Sequence, residues 1–136
     1  MAHLPLIIPP FRFACVEPGV YRGCYPNRLN ERFLLRLQLR TIISLAPNDP
    51  NSWLPDYCTQ HQIARFSFPT DVPKENVTLQ TESIQRCLEL LLDPRRHPLY
   101  LHCTDGTANT SLIIIALRRL QLWPLTAAIA EYLRFS

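Results

Sequence analysis

Apolar and polar positions along the chain change period several times, and the changes mark out alternating strands and helices. TIISL (41–45) is a continuous apolar, β-branched run, the pattern of a strand buried on both faces. IARFSF (63–68) alternates with period two, and PLYLH (98–102) is a third short apolar run. Nearer the start, FRFACV (11–16) and VYRG (20–23) predict two strands joined by the turn tripeptide Glu17-Pro18-Gly19. Between these runs the period becomes helical. Asn27 is placed to cap a helix in which Leu29, Phe33 and Leu37 recur on one face. SWLPDYCTQH (52–61) predicts a short helix, with Pro55 tolerated in its first turn. Ile84, Leu88 and Leu91 mark a helix over about 79–92, stopped by Asp93-Pro94. A further helix is predicted from about Asn109 to Leu120, and a last one after Trp123-Pro124. FPTDVPKENVT (68–78) is a long polar loop.

Strands alternating with helices predict an α/β fold: a central, mostly parallel sheet flanked by helices on both faces, in one domain over residues 1–136. In such sheets the ligand crevice lies beyond the carboxyl ends of the strands.

Composition narrows the function more by exclusion than by suggestion. With 47% apolar residues the chain has the material for a core and is not a disordered segment. The net charge of +3 comes from scattered arginines, with Lys74 the only lysine, so no basic run points to nucleic acid. The five cysteines (15, 24, 58, 87 and 103) include no CxxC pair, and the four histidines form no ligand pattern with them; no metal and no cofactor is expected. MAHLPLIIPPFRF lacks the charged start of a signal peptide, and LIIIAL is too short to span a bilayer. Reduced thiols and a cytoplasmic location without membrane attachment are the expectation.

The chemistry concentrates in LYLHCTDGTANTSLIII (99–115), where a strand ends in His102-Cys103, a small polar loop follows, and an apolar helix begins. Unpaired backbone N–H groups and the positive end of the helix dipole favour the thiolate form of Cys103 and make an anion cradle of residues 102–109. Within that cradle (His102, Thr104, Asp105, Gly106, Thr107, Ala108 and Asn109), Gly106 relieves a tight turn, and His102 reads either as a site residue or as a hydrogen-bonded core histidine. Thr110 can bring a hydroxyl to the sulfur. Asp71, in the long polar loop, is the best-placed general acid, ahead of Asp49 and Asp56; a solvated loop carboxylate is the plainer alternative.

The segment HC-TDGTA-N-T resembles the HC-x5-R-[S/T] signature of the protein tyrosine phosphatase superfamily. More narrowly, PGVYRGCYP, LRTIISL, the PKENV loop, HPLYLHC and RRLQLWPLTAAIAEYLRF resemble the plant and fungal atypical dual-specificity phosphatases, which include the fungal oxidant-induced cell-cycle arrest proteins. The resemblance runs over nearly the whole chain. It implies a cysteine-phosphatase fold, cleavage of phosphoryl groups including those of inositol pyrophosphates, and assembly with related phosphatase-like family members. It places Cys103 at the nucleophile, Thr110 at the assisting hydroxyl and Asn109 where the family has its arginine. It also implies basic residues at 107 and 108, where this chain has Thr107 and Ala108, beside an added Asp105. Arginine clamps phosphoryl oxygens with two hydrogen bonds and a charge, and losing such a group costs on the order of 10²–10⁵ in rate.

Two readings follow. In one, a catalytically impaired pseudophosphatase keeps an anion-binding loop for phosphate, sulfate or an inositol phosphate and serves a protein-interaction or regulatory role. In the other, a slow cysteine phosphatase acts on inositol pyrophosphates or phosphoproteins, with Arg22 or Lys74 supplying the missing charge and Arg65 a further candidate. Sulfur transfer of the rhodanese kind is disfavoured by the tail and by the spacing from Cys103 to Thr110. Relatives continue beyond EYLRF, so exposed apolar surface is expected where their terminal helix would pack.

Overall fold

The five strands of the sheet lie in the order β1-β2-β5-β3-β4 in the computed structural model. It describes residues 7–46, 48–68, 81–104, 106, 108–123, 127, 130, 131 and 134. Strands β1 (Ala14–Glu17) and β2 (Val20–Cys24) form an antiparallel hairpin. Its turn places Gly19 at φ +84°, a conformation that favours glycine. β2, β5 (Leu99–Cys103), β3 (Thr41–Leu45) and β4 (Ala64–Ser67) are mutually parallel. Every residue of β3 and β5 is buried, as a central strand covered on both faces requires.

Period-two alternation divides the core. Ile43, Leu45, Leu99, Leu101 and Cys103 face Cys87, Leu90 and Leu91 of α3 (Thr81–Leu91) and Ile113, Ile114 and Leu117 of α4 (Ala108–Leu120). Ile42 and Tyr100 face Leu34 of α1 (Glu31–Leu37) and Leu54, Tyr57 and Cys58 of α2 (Trp53–Gln60). Positions 127, 130, 131 and 134 are helical, where the last helix is expected.

The helix after Asn27 begins differently from its sequence pattern. Asn27 caps a 3-10 turn, Arg28–Asn30, through a reciprocal capping box with Asn30, and α1 starts only at Glu31. The tighter turn rotates the inward face, so Leu34 is fully buried while Leu29, expected on that face, is 69% exposed. Asp93 does end α3, and it also caps a second 3-10 turn, Pro94–Arg96, through the N–H of Arg95.

Candidate functional site

Cys103 is the last residue of β5, at the carboxyl edge of the sheet, where the chain turns into α4. Cys24 and Leu45 are its register partners on either side. Gly106, at φ +78°, lets the loop pass close over β2: a Cβ there would lie 2.8 Å from Cys24 N and from Gly23 C. Ala108 and Asn109 fall in the first turn of α4, with Asn109 half-buried. Thr110 is fully buried, and its Oγ1 has no hydrogen-bond partner among the described residues. Thr104 is exposed, and its carbonyl accepts from Tyr25 N–H at 3.4 Å. Asp71, Lys74, Asp105 and Thr107 lie outside the described residues.

Arg22 enters the site from below. It lies on β2, 1% exposed, and its Nη2 donates to Gly106 O at 3.1 Å and to Ser111 Oγ at 2.7 Å. One guanidinium thereby ties strand, loop and helix together. Burial pulls its pKa below the ordinary guanidinium value, and the negative charges of Glu131 and Cys103 oppose that shift.

His102 points to the other face of the sheet. Its ring is fully buried, stacked on Tyr100 and meeting Tyr25 edge-on. Ser44 Oγ lies 2.7 Å from Nε2 and accepts from Arg65 Nε and Nη2, both at 3.1 Å. With its lone pairs taken, the Ser44 hydroxyl gives its proton to Nε2, which leaves the ring proton on Nδ1, 3.4 Å from Cys103 O. Burial lowers the His102 pKa to about 3, so the ring is neutral at ordinary pH. It holds the backbone of Cys103 rather than moving protons.

Behind Ser44, Arg65 grips Asp49 with two hydrogen bonds of 2.9 and 2.5 Å, and Tyr25 Oη donates to the same carboxylate. The Arg65 contacts hold Asp49 below the usual carboxylate range. Asp49 is thus an ion-pair anchor, ill-suited to the general-acid role considered from sequence, and Arg65 is committed to Asp49 and Ser44. Asp56 sits in the first turn of α2. The Tyr25–Asp49–Arg65–Ser44–His102 relay escapes a sequence reading because its members come from five separate segments of the chain.

Comparison with known proteins places this geometry. The model of a family described as the tyrosine phosphatase family matches residues 7–136. The inositol diphosphatase DSP1 of Oryza sativa subsp. japonica is 36% identical over 132 residues, which are 96% of this chain and 60% of that protein. The inositol diphosphatase DSP4 of Arabidopsis thaliana is 33% identical over 96% of this chain and 67% of its own length. Among solved structures, the core catalytic domain of the PP-IP phosphatase SIW14 from S. cerevisiae, in complex with citrate, superposes with a TM-score of 0.86 at 30% identity; the match covers 96% of this chain and 78% of that one.

Proposed function

We propose a function from one premise: the chain belongs to the tyrosine phosphatase family and carries its cysteine-phosphatase fold. The reading that best fits the site is a phosphatase-like domain that binds phosphate-type anions at the Cys103 loop but turns phosphoryl substrates over poorly, a pseudophosphatase. One observation carries it. Asn109 occupies the first turn of α4, where the resemblance puts the phosphoryl-clamping arginine, while the nearby guanidinium groups of Arg22 and Arg65 are bonded to protein oxygens. An amide can donate a hydrogen bond to an anion but brings no charge to the transition state.

In this reading Cys103 remains a nucleophilic thiol, and Thr110 keeps a buried hydroxyl on the same helix turn. Backbone N–H groups at the start of α4 supply the cradle. The ligand class is phosphate, sulfate or an inositol phosphate. That the SIW14 core holds the polyanion citrate, and that the plant relatives are named inositol diphosphatases, supports this class. Binding without turnover suits recruitment, with related phosphatase-like family members as partners in the cytoplasm. No helix among the described residues is long and apolar enough to cross a membrane.

A second reading, an active cysteine phosphatase on inositol pyrophosphates or phosphoproteins, draws support from Arg22, whose guanidinium donates to Gly106 O in the Cys103 loop and to Ser111 Oγ of α4. Lys74 and the acid candidate Asp71 belong to this reading. Phosphate release from an inositol pyrophosphate and from an aryl phosphate, measured beside Cys103→Ser, separates the two. The expected result is no release above the Cys103→Ser control, with calorimetric binding of the pyrophosphate retained. Asn109→Arg is expected to add measurable turnover without restoring a full rate, because positions 107 and 108 lack the family's basic residues. Cys103-dependent turnover in the unaltered chain would overturn the impaired reading.

A further inference from the structure

Among the described residues, four that are not glycine have a positive φ, and helix ends account for three of them. Gln38 is the C-cap of α1, and Gln62 and Leu122 fall two residues beyond α2 and α4. The fourth, Arg12 at φ +57°, belongs to no helix end. It is the third residue of a turn closed by Phe13 N–H to Pro10 O at 3.1 Å. A positive φ at that place suits glycine or asparagine, because a larger side chain crowds the backbone there. Arginine is a strained occupant, and strain of this kind concentrates at binding sites.

The turn stands against the anion cradle. Cys24 N–H donates to Phe11 O at 2.9 Å. Gly106 passes over the same nitrogen, so close that a Cβ on it would lie 2.8 Å away. The turn therefore flanks the Cys103 loop on the β1 side of β2. Cys103 is the register partner of Cys24, so two strand spacings, roughly 10 Å, separate the turn from Cys103. The Arg12 guanidinium lies 4.7 Å from the centre of the Phe11 ring, which is itself exposed. That stacking engages the flat face of the guanidinium, whose five N–H donors lie in its plane. Burial raises the pKa of Cys24, while the Phe11 backbone and the Arg12 charge pull it down, as a turn facing that thiol would.

The other cations near the loop are engaged from within the sheet: Arg22 by Gly106 O and Ser111 Oγ, Arg65 by Asp49 and Ser44. Arg12 approaches from outside and is half-buried at the rim. A phosphate over Cys103 meets backbone N–H groups and the Asn109 amide; a second phosphate on the β2 side meets Arg12. We propose that Arg12 is a specificity-determining residue of this site, holding a second phosphate beside the one in the cradle. The chain then selects ligands with two neighbouring phosphoryl groups over a lone phosphate. Either a diphosphate group or single phosphates on adjacent ring carbons supply that chemistry, and the guanidinium forks two hydrogen bonds onto the outer one. This inference rests on the reading of the Cys103 loop as an anion cradle and adds what that cradle discriminates.

The test is phosphorus NMR titration of the whole chain, at one salt concentration, with inorganic phosphate, inorganic pyrophosphate and inositol hexakisphosphate. Arg12→Asn removes the charge with a residue that suits the left-handed turn, and circular dichroism checks its fold. The unaltered chain is expected to bind pyrophosphate at least ten-fold more tightly than phosphate. Arg12→Asn is expected to cut that preference by roughly ten-fold, the scale of one charge-assisted hydrogen bond, and Arg12→Lys to recover part of it. An equal cut with inositol hexakisphosphate extends the role to phosphates on adjacent carbons, whereas a cut with pyrophosphate alone confines it to the diphosphate group. Equal losses for phosphate and pyrophosphate overturn the proposal, as does a preference that survives Arg12→Asn. Those two outcomes leave the cradle standing, because phosphate still binds the unaltered chain. If none of the three anions binds the unaltered chain, the reading of the loop itself fails, and the role of Arg12 with it.

Discussion

Gly23→Ala, made with and without Tyr100→Phe, tests how closely β2 and β5 fit beside the site. A Cβ at Gly23 would lie 2.3 Å from Tyr100 Oη and 3.2 and 3.3 Å from two ring carbons. Gly23 is not among the glycines at positive φ, so the backbone accepts alanine and only the neighbouring side chain objects. That hydroxyl donates to Cys24 O at 2.7 Å, and alanine must displace it. Overpacking of this kind costs about 1–3 kcal/mol, and the displaced hydrogen bond roughly 1 more, giving about 3 kcal/mol for Gly23→Ala. Tyr100→Phe alone loses the hydrogen bond, about 1 kcal/mol. With the hydroxyl gone, the ring carbons need yield only a few tenths of an ångström, and alanine costs under about 1 kcal/mol. The double variant is therefore expected to be at least as stable as Gly23→Ala alone, with a coupling of about 2 kcal/mol. Urea unfolding of the four proteins, followed by circular dichroism, reads this directly. Costs that add to within about 0.5 kcal/mol would refute the contact as the cause.

Two further outcomes follow from buried charge. His102 is held down at about 3 from its ordinary 6.5, so the unfolded chain binds more protons below pH 6.5. The contribution of the neutral ring is intact above that pH and is lost at roughly 1.4 kcal/mol per pH unit on acidification toward about pH 3. Unfolding free energies at pH 7 and pH 5 are expected to differ by roughly 2 kcal/mol more in the unaltered chain than in His102→Gln; equal differences would count against the assignment. Arg118 is a buried hub, paired with Glu131 through bonds of 3.2 and 3.1 Å and donating to Val16 O at 2.7 Å. Arg118→Met strands that carboxylate and carbonyl, and the expected loss is about 3–5 kcal/mol in urea unfolding; under about 1 kcal/mol would show the pair open to water.

The strands and the Cys103 loop were legible because burial on one or two faces writes a short period into the sequence, and a strand–loop–helix cysteine has few other layouts. The PLYLH run ends at the carboxyl edge of the sheet, where an α/β reading expects a ligand site. Leu29 misled because a three-residue turn and a four-residue turn share the same sequence pattern until the cap geometry is known. The Cys24–Cys103 pairing was hidden for another reason: it depends on which strands are neighbours, and strand order is a long-range property that no local period encodes. Arg22 was visible as a cation but not as a clasp. Its partners, Gly106 O and Ser111 Oγ, are a backbone carbonyl and a common hydroxyl, and neither announces a role in the sequence.

The position of β5 between β2 and β3 has a consequence for the order in which the molecule is made. A chain leaving the ribosome first presents the β1–β2 hairpin and then the β3–α2–β4 unit, two half-sheets with nothing to join them. Each waits with one raw flank, β2 in the first and β3 in the second, and such flanks invite wrong partners. Only when residues 99–103 emerge can the two halves be zipped together, because β5 hydrogen-bonds to both. The segment that delivers Cys103 is also the keystone of the sheet, so a nascent chain has no reactive pocket before it has a fold.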